Sequence, residues 1–380
     1  MLSQIDVFHD CFQSVEDPRV AGRTIHPLNS ILFLTVAGVI AGADGPEEIE
    51  TFGDEKFEWL SRFADFEAGI PSHDTIGRVL SIIKPAQFQA ALLQWHTHLC
   101  KSDHGDNDNA PVHVAIDGKT ARGSYTTTDK SDALHIVSAW ATENGVTLGQ
   151  VDVDSKSNET TAIPQLLDLM DVEGTIITID ALGCQKSIAE KIVNKNGDYT
   201  FAVKDNHRKL AAALEAFFLE AHEENLSKQK IFSKNTRNEQ AGREEDRFYA
   251  TCAIPESMRD LTDQWPGAKS IGQAITTSTY RGKETIEIRY YLSSRPPRVG
   301  EFSKSVRNHW SIDSMHWVLD VVFHEDASRI RTGNATSNMS FVRRFVTTLL
   351  KKDTTKKSLK QKRKKAGWNT DFLEKLLFAA

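Results

Sequence analysis

The chain changes rhythm after its first quarter. Up to about residue 100, apolar positions recur at helical spacing. The longest apolar run, Ile31 to Ala43, follows His26-Pro27-Leu28-Asn29, where Pro27 marks an entry and Asn29 or Ser30 can cap the first turn. It contains Thr35 and falls short of the roughly 20 residues that cross a bilayer, so it predicts a buried helix. A second helix is expected from Pro46 to Phe52, with Glu47, Glu48 and Glu50 near its positive end. Ile70-Pro71-Ser72-His73-Asp74-Thr75 begins a third, and Pro85 opens a fourth. The polar stretch from Lys101 to Ala110 reads as a linker.

Beyond it the period shortens. Val112 to Asp117 is a strand-like run, and His135 to Thr142 and Leu148 to Val153 flank Glu143-Asn144-Gly145, a hairpin signal. A helix over 162–170, a strand over 175–180, a helix over 186–194 and a strand over 199–204 follow. Three antiparallel strands and then parallel ones joined through helices make an α/β (α+β) mixed sheet with ribonuclease-H-like order. Residues 205–294 break the rhythm. A charged helix (209–225), a polar loop (234–246) and strand-like runs at 247–253, 274–280 and 285–293 read as a β-rich insertion. Helices return from Phe302, and a last one spans 370–378. The expected division is an N-terminal helical domain (1–100), a mixed-sheet domain (111–350) with its insertion, and a basic C-terminal segment (351–380).

Composition fits a soluble globular chain of one large domain or two: 380 residues, 39% hydrophobic and 26% charged. A formal net charge of −6 argues against a nucleic-acid partner, but the average hides a polarity. From Lys351 to Lys365 nine basic residues face the single Asp353, a local balance of +8, and the remainder is correspondingly more acidic. Such a run is either a solvated tail or a polyanion-binding segment. Cys11, Cys100, Cys184 and Cys252 lie far apart without metal-ligand spacing or a secretory leader, so reduced thiols in a cytoplasm are expected.

Two apolar runs end in aspartate: Asp117 in VAIDGKT and Asp180 in ITIDALG. Each could simply start a turn or cap a helix. Together on neighbouring strands they would repel one another, and a divalent cation would relieve that repulsion. A third carboxylate from a distant helix would complete an oxygen-ligand site for phosphoryl transfer. The candidate is Asp313, which shares a helical face with Trp310 and Trp317, beside His309 and His316. An aromatic core stripe carrying one buried, paired acid is the alternative.

Longer phrases carry a resemblance. LHIVSAWATENGVTLGQ, KSNETTAIPQLLDLM, TIITIDALGCQKSIAEKI, YTFAVK, HWSIDSMHWVLDVVFHEDASRIRTGNA and KAGWNTDFLEKLL resemble bacterial insertion-sequence transposases of the DDE type, in the branch that includes the H-repeat-associated proteins. DPRVAGRTIHPLNSIL, GADGPEEIETFG and GIPSHDTIGRV resemble that branch's helical, DDE-associated domain. The resemblance implies an enzyme that cuts and joins DNA at the ends of its own element, using two Mg²⁺ (or Mn²⁺) ions on Asp117, Asp180 and Asp313. It also implies double-stranded DNA as partner, in the form of terminal inverted repeats and target, and a homodimer on that DNA.

Lys119, Arg122, Lys204, His309, Arg329 and Arg331 are the expected DNA contacts around the centre, with Lys362, Arg363 and Lys364 in the basic run. Cys184 and Gln185 are family-typical, with packing the expected role for the cysteine. The family's third acid is a glutamate in Trp-x-Ile-Glu, whereas this chain has Trp310-Ser311-Ile312-Asp313. Aspartate is one methylene shorter, about 1 Å of reach where site tolerance is about 0.5 Å. That difference keeps one rival open, a degenerate transposase that binds DNA without cutting; the fold alone leaves a second, a nuclease that never joins ends. Glu325 is the fallback carboxylate.

Overall fold

The computed structural model describes residues 4–100, 111–125, 133–153, 158–224, 230–240 and 242–378. The expected linker at 101–110 lies outside them. The N-terminal helices are α1 (Gln4–Phe12), α2 (Leu28–Ala41), α3 (Pro46–Glu55), α4 (Phe57–Leu60), α5 (His73–Ile82) and α6 (Pro85–Cys100). Helix α2 is apolar all round and almost wholly buried, as such a helix must be. Local chemistry sets the starts of its neighbours. Pro46 opens α3 with Glu47 and Glu48 in the first turn, and the Ser72 hydroxyl caps α5 by accepting from the Thr75 amide.

The central sheet contains β1 (His113–Thr120), β2 (His135–Ala141), β3 (Val146–Val153), β4 (Ile176–Ile179) and β5 (Asp198–Val203), with α7 (Glu159–Asp168) and α8 (Lys186–Asn194) between the later strands. Strands β1, β2 and β3 form an antiparallel meander, with Gly145 at φ 64° in the hairpin turn. β4 lies parallel to β1, and β5 parallel to β4. The order β3-β2-β1-β4-β5 is ribonuclease-H-like, as the element pattern predicts.

The insertion is built on that sheet. After α9 (Arg208–Glu224) come β6 (Phe232–Gln240), β7 (Arg243–Ala253), the short α10 (Arg259–Thr262), β8 (Ser270–Tyr280) and β9 (Lys283–Ser293). β9 pairs antiparallel with β5, which extends the sheet to nine strands among the described residues, ending on β6. The polar loop expected at 234–246 is instead most of a β6–β7 ladder, from Phe232↔Thr251 to Gln240↔Arg243. Cross-strand charge supports it: Arg237 donates to Glu244 at 2.8 Å. A charged, exposed ladder has no apolar alternation to reveal it, and charge on the edge strand also discourages pairing with other chains.

Helices cover both faces. α7, α8 and α9 pack over one face with Ile163, Leu166, Ile188, Leu214 and Phe218. The other face receives α11 (Val299–His309), α12 (Ser311–Phe323) and α13 (Ala335–Lys352). A single apolar cluster joins the N-terminal helices to α12, α13, α14 (Leu359–Trp368) and α15 (Thr370–Phe378). The basic run is therefore not a free tail. It ends α13, turns, and re-enters the helical core as α14, whose Ser358 and Gln361 form a capping box.

Candidate active site

The sheet register brings the first two aspartates together. Parallel pairing sets Ile116 opposite Ile179, so Asp180, just past the end of β4, lies beside Asp117. β1 does not stop at Asp117 as the sequence pattern predicts but runs on to Thr120, because β2 continues to pair with it after β4 has ended. Asp180 also organises its own loop, its Oδ1 accepting from the Leu182 and Gly183 amides at 3.0 and 3.3 Å. Asp313 arrives from the first turn of α12. One oxygen each from Asp117 and Asp313 and one nitrogen from His316 lie within 4.8 Å of one another.

Helical spacing explains the match between α12 and β1. Asp313, His316 and Asp320 recur at three and four residues along one face of α12, opposite Asp117 and Lys119, which share a face of β1. His316 Nδ1 is 3.6 Å from Asp117 Oδ2, and Lys119 Nζ is 2.7 Å from Asp320 Oδ1. The aromatic stripe is not a core stripe, because Trp317 is 61% exposed. Trp310 sits at the break between α11 and α12, with the Arg289 guanidinium 3.9 Å above its ring.

The electrostatics follow from this crowding. Burial pushes the Asp117 carboxyl up to about 7, and the nearby charges of Glu159, Asp313 and Asp180 push in the same direction. Partial burial also raises Asp313, opposed by Arg289. His316 is held down at about 3, first by burial and then by Arg344, Lys119 and His135, so it is a neutral imidazole at physiological pH. Glu159, at the start of α7, offers its Oε1 as acceptor 2.8 Å from His135 Nε2, while His135 Nδ1 meets the Thr120 hydroxyl at 2.8 Å.

The expected DNA contacts divide by environment. Arg122, Lys204, Arg329 and Lys364 are exposed, and Arg122, Arg329 and Arg331 line a cleft of about 500 Å³ with Tyr125. Arg331 is partly committed, donating to the Gly123 carbonyl at 3.0 Å and lying 4.6 Å above the Tyr125 ring. Lys119, Lys362 and Arg363 are not at a surface. Lys119 is surrounded by Asp320, Asp326 and Glu325. Lys362 donates to the Leu350 and Asp353 carbonyls. Arg363 reaches the carbonyls of Val39, Val322 and Ala43 and the Asp44 carboxylate. These positions correct the expectation of a uniformly DNA-facing run, because a helix entering a core must turn one side inward. His309 is also turned inward, its Nδ1 3.1 Å from the Thr178 hydroxyl and its basicity lowered to about 4 mainly by burial.

Glu325 does not serve as a spare third acid. It is 1% exposed, with Oε1 2.8 Å from the Ser340 hydroxyl and 3.1 Å from Arg344 Nη1. Cys184 is buried, and burial raises its thiol to about 12, in keeping with packing. Gln185 precedes α8 without capping it through its side chain. His316 and Glu159 are the neighbours that site selection by sequence passes over. The spacing of Asp313 and His316 is a signal for the first, whereas the approach of α7 to β1 leaves none for the second.

The family model of the transposase DDE domain matches residues 108–349, and that of the DDE_Tnp_1-associated domain matches residues 9–96. The "Putative transposase YncI" of Escherichia coli O157:H7 is 42% identical over 97% of this chain and 93% of its own. The "H repeat-associated putative transposase YhhI" of E. coli K12 is 39% identical over 96% of this chain and 95% of its own. A cryo-EM structure of a piggyBac transposase synaptic complex with hairpin DNA aligns with 99% of this chain and 82% of its own at a TM-score of 0.43 and 11% identity. With the DDE family model covering most of the chain, and relatives this similar along nearly all of it, the protein belongs to the DDE transposases, beside the H repeat-associated members.

Proposed function

We propose that this transposase cuts DNA at the ends of an insertion sequence and joins the freed ends to a target, with Asp117, Asp180 and Asp313 as the acids of a divalent-cation centre. The observation that carries the reading is the placement of Asp117 within β1 beside Asp180 at the end of the parallel β4, with Asp313 facing Asp117 from α12. The donor set fits a hard cation, Mg²⁺ or Mn²⁺, because a carboxyl raised to about 7, first by burial and then by the charges of Glu159, Asp313 and Asp180, has its ionised form favoured by a positive charge beside it. When bound, two such ions would supply an activated water and a stabilised leaving 3′ oxygen.

The chain's own residues do the positioning. The rigid backbone of β1 and the end of β4 aim the first two carboxylates, and Lys119, 2.7 Å from Asp320, pairs α12 with β1. Lys204 lines a pocket with Asp180, Arg122 and Arg329 line the cleft beside Tyr125, and these would meet phosphates, while Lys356, Lys357, Lys360 and Lys364 keep an exposed basic face on and before α14. Arg243, Arg247, Arg289 and Arg307 line a further cleft of about 320 Å³ that reaches Asp313. Affinity for DNA is expected to fall steeply with salt. The helical N-terminal part and the exposed lysines would hold the element's ends, and synapsis of two ends would call for a homodimer.

The second reading, DNA binding without cleavage, rests on Asp313 in place of the family glutamate. An Mg²⁺- or Mn²⁺-dependent cleavage and joining assay on the cognate terminal repeats separates the two, with D117A as control. Cleavage in the wild type that disappears in D117A supports the assigned centre, and cleavage that persists in D117A removes it. D313E is the companion variant. Increased cleavage is expected if the centre is assembled and lacks only reach.

A further inference from the structure

His316 enters no part of the three-acid reading, yet it stands in the centre. Its side chain is 12% exposed, one turn beyond Asp313 on the same face of α12. Nε2 is buried without a hydrogen-bond partner among the described residues, and Nδ1 lies 3.6 Å from Asp117 Oδ2, beyond hydrogen-bonding distance. A buried imidazole normally uses its nitrogens, since leaving a polar group unsatisfied costs about 1–3 kcal/mol. Here one nitrogen shares a volume with an oxygen from each of two aspartates, all within 4.8 Å. Ligand atoms at about 2.1 Å from one cation lie about 3–4 Å apart, so the three can close on a single ion with small side-chain adjustments.

We infer that His316 is a protein ligand of the cation held by Asp117 and Asp313, giving a mixed nitrogen–oxygen site that takes Mn²⁺ in preference to Mg²⁺. Magnesium favours oxygen donors and gives up water reluctantly, whereas imidazole suits later divalent metals and Mn²⁺ tolerates it better. The same arrangement offsets the short reach of Asp313, because a second donor from the next turn of α12 fills coordination space that a longer carboxylate would occupy. This inference rests on the metal-centre reading above, and the experiment separates the two.

Full-length protein is titrated with Mn²⁺ and the bound ion examined by pulsed electron paramagnetic resonance, for the wild type, the wild type grown with ¹⁵N-histidine, H316L and D117A. The expected result is a histidine nitrogen coupling in the wild type that changes to the ¹⁵N pattern on labelling. It should vanish in H316L, with Mn²⁺ affinity at least about ten-fold weaker, since loss of even an outer-shell partner typically costs that much. Mg²⁺ should compete poorly in the wild type. Binding that is lost in D117A without any nitrogen coupling in the wild type overturns the role of His316 and leaves the carboxylate centre standing. Coupling that persists in H316L overturns it equally. Binding unchanged in D117A overturns the metal-centre reading and this inference with it. The labelled wild type decides the matter even if H316L does not fold.

Discussion

Replacing Glu325 tests how α12 and α13 are locked to the sheet. Its carboxylate accepts from Ser340 at 2.8 Å and Arg344 at 3.1 Å, and its other oxygen is 3.9 Å from Lys119 Nζ. Arg344, with no exposed side-chain surface, also donates to Ser138 of β2 at 3.2 Å. E325L leaves this guanidinium buried without its counter-charge, while Lys119 keeps Asp320 and Asp326 and Arg343 keeps Ser328 and the Asp44 carbonyl. Breaking one side of a buried pair costs about 3–5 kcal/mol, and replacing both sides by packed apolar groups is often neutral. E325L is therefore expected to lose about 3–5 kcal/mol, and E325L/R344M to recover most of it, in urea unfolding at pH 7.

The pH dependence gives a second handle on the same pair. Burial pushes the Glu325 carboxyl up, but Arg344, Arg343 and Lys119 together hold it below its ordinary 4.5. A depressed acid contributes stability that is fully present above the unfolded value and is lost as pH falls through the folded one. The gap between wild type and E325L should be constant at neutral pH and narrow below about pH 4.5. A single mutant within about 1 kcal/mol of wild type, or a double mutant no better than the single, would refute the reasoning.

Three further outcomes follow from the geometry. Because Asp117 is raised from 3.8 to about 7, its ionisation costs stability as pH rises between those values, so metal-free D117N should exceed wild type by about 2–4 kcal/mol at pH 8 and match it near pH 3; equal stability at pH 8, in denaturation with chelator, would contradict this. R363M should cost about 3 kcal/mol or more by orphaning carbonyls at the ends of α2 and α12, without changing DNA affinity where folded, whereas K356E/K360E/K364E should weaken DNA binding and flatten its salt dependence with little loss of stability. G118A should lose about 1–3 kcal/mol by thermal melting, because its Cβ would meet Glu159 and His135, while G300A on α11, with open space around it, should be neutral or slightly stabilising.

The sequence by itself determined most of the elements, though not the β6–β7 ladder, and the family. Period and punctuation placed α2, the β2–β3 hairpin and the strands that carry Asp117 and lead to Asp180, though not the extension of β1 to Thr120, because these segments are apolar on one or both faces and bounded by turn residues. Long shared phrases pointed to the DDE transposases. What the sequence could not carry was the direction of charge. Nine basic residues look alike in a string, yet the winding of α14 buries Lys362 and Arg363 and exposes Lys364. Glu325 and Asp313 are both acids beside helices, but only tertiary packing gave one to Arg344 and the other to Asp117 and His316. The physical reason is that a charged side chain's role depends on which opposite charges and how much water surround it, and those are set by segments distant in sequence.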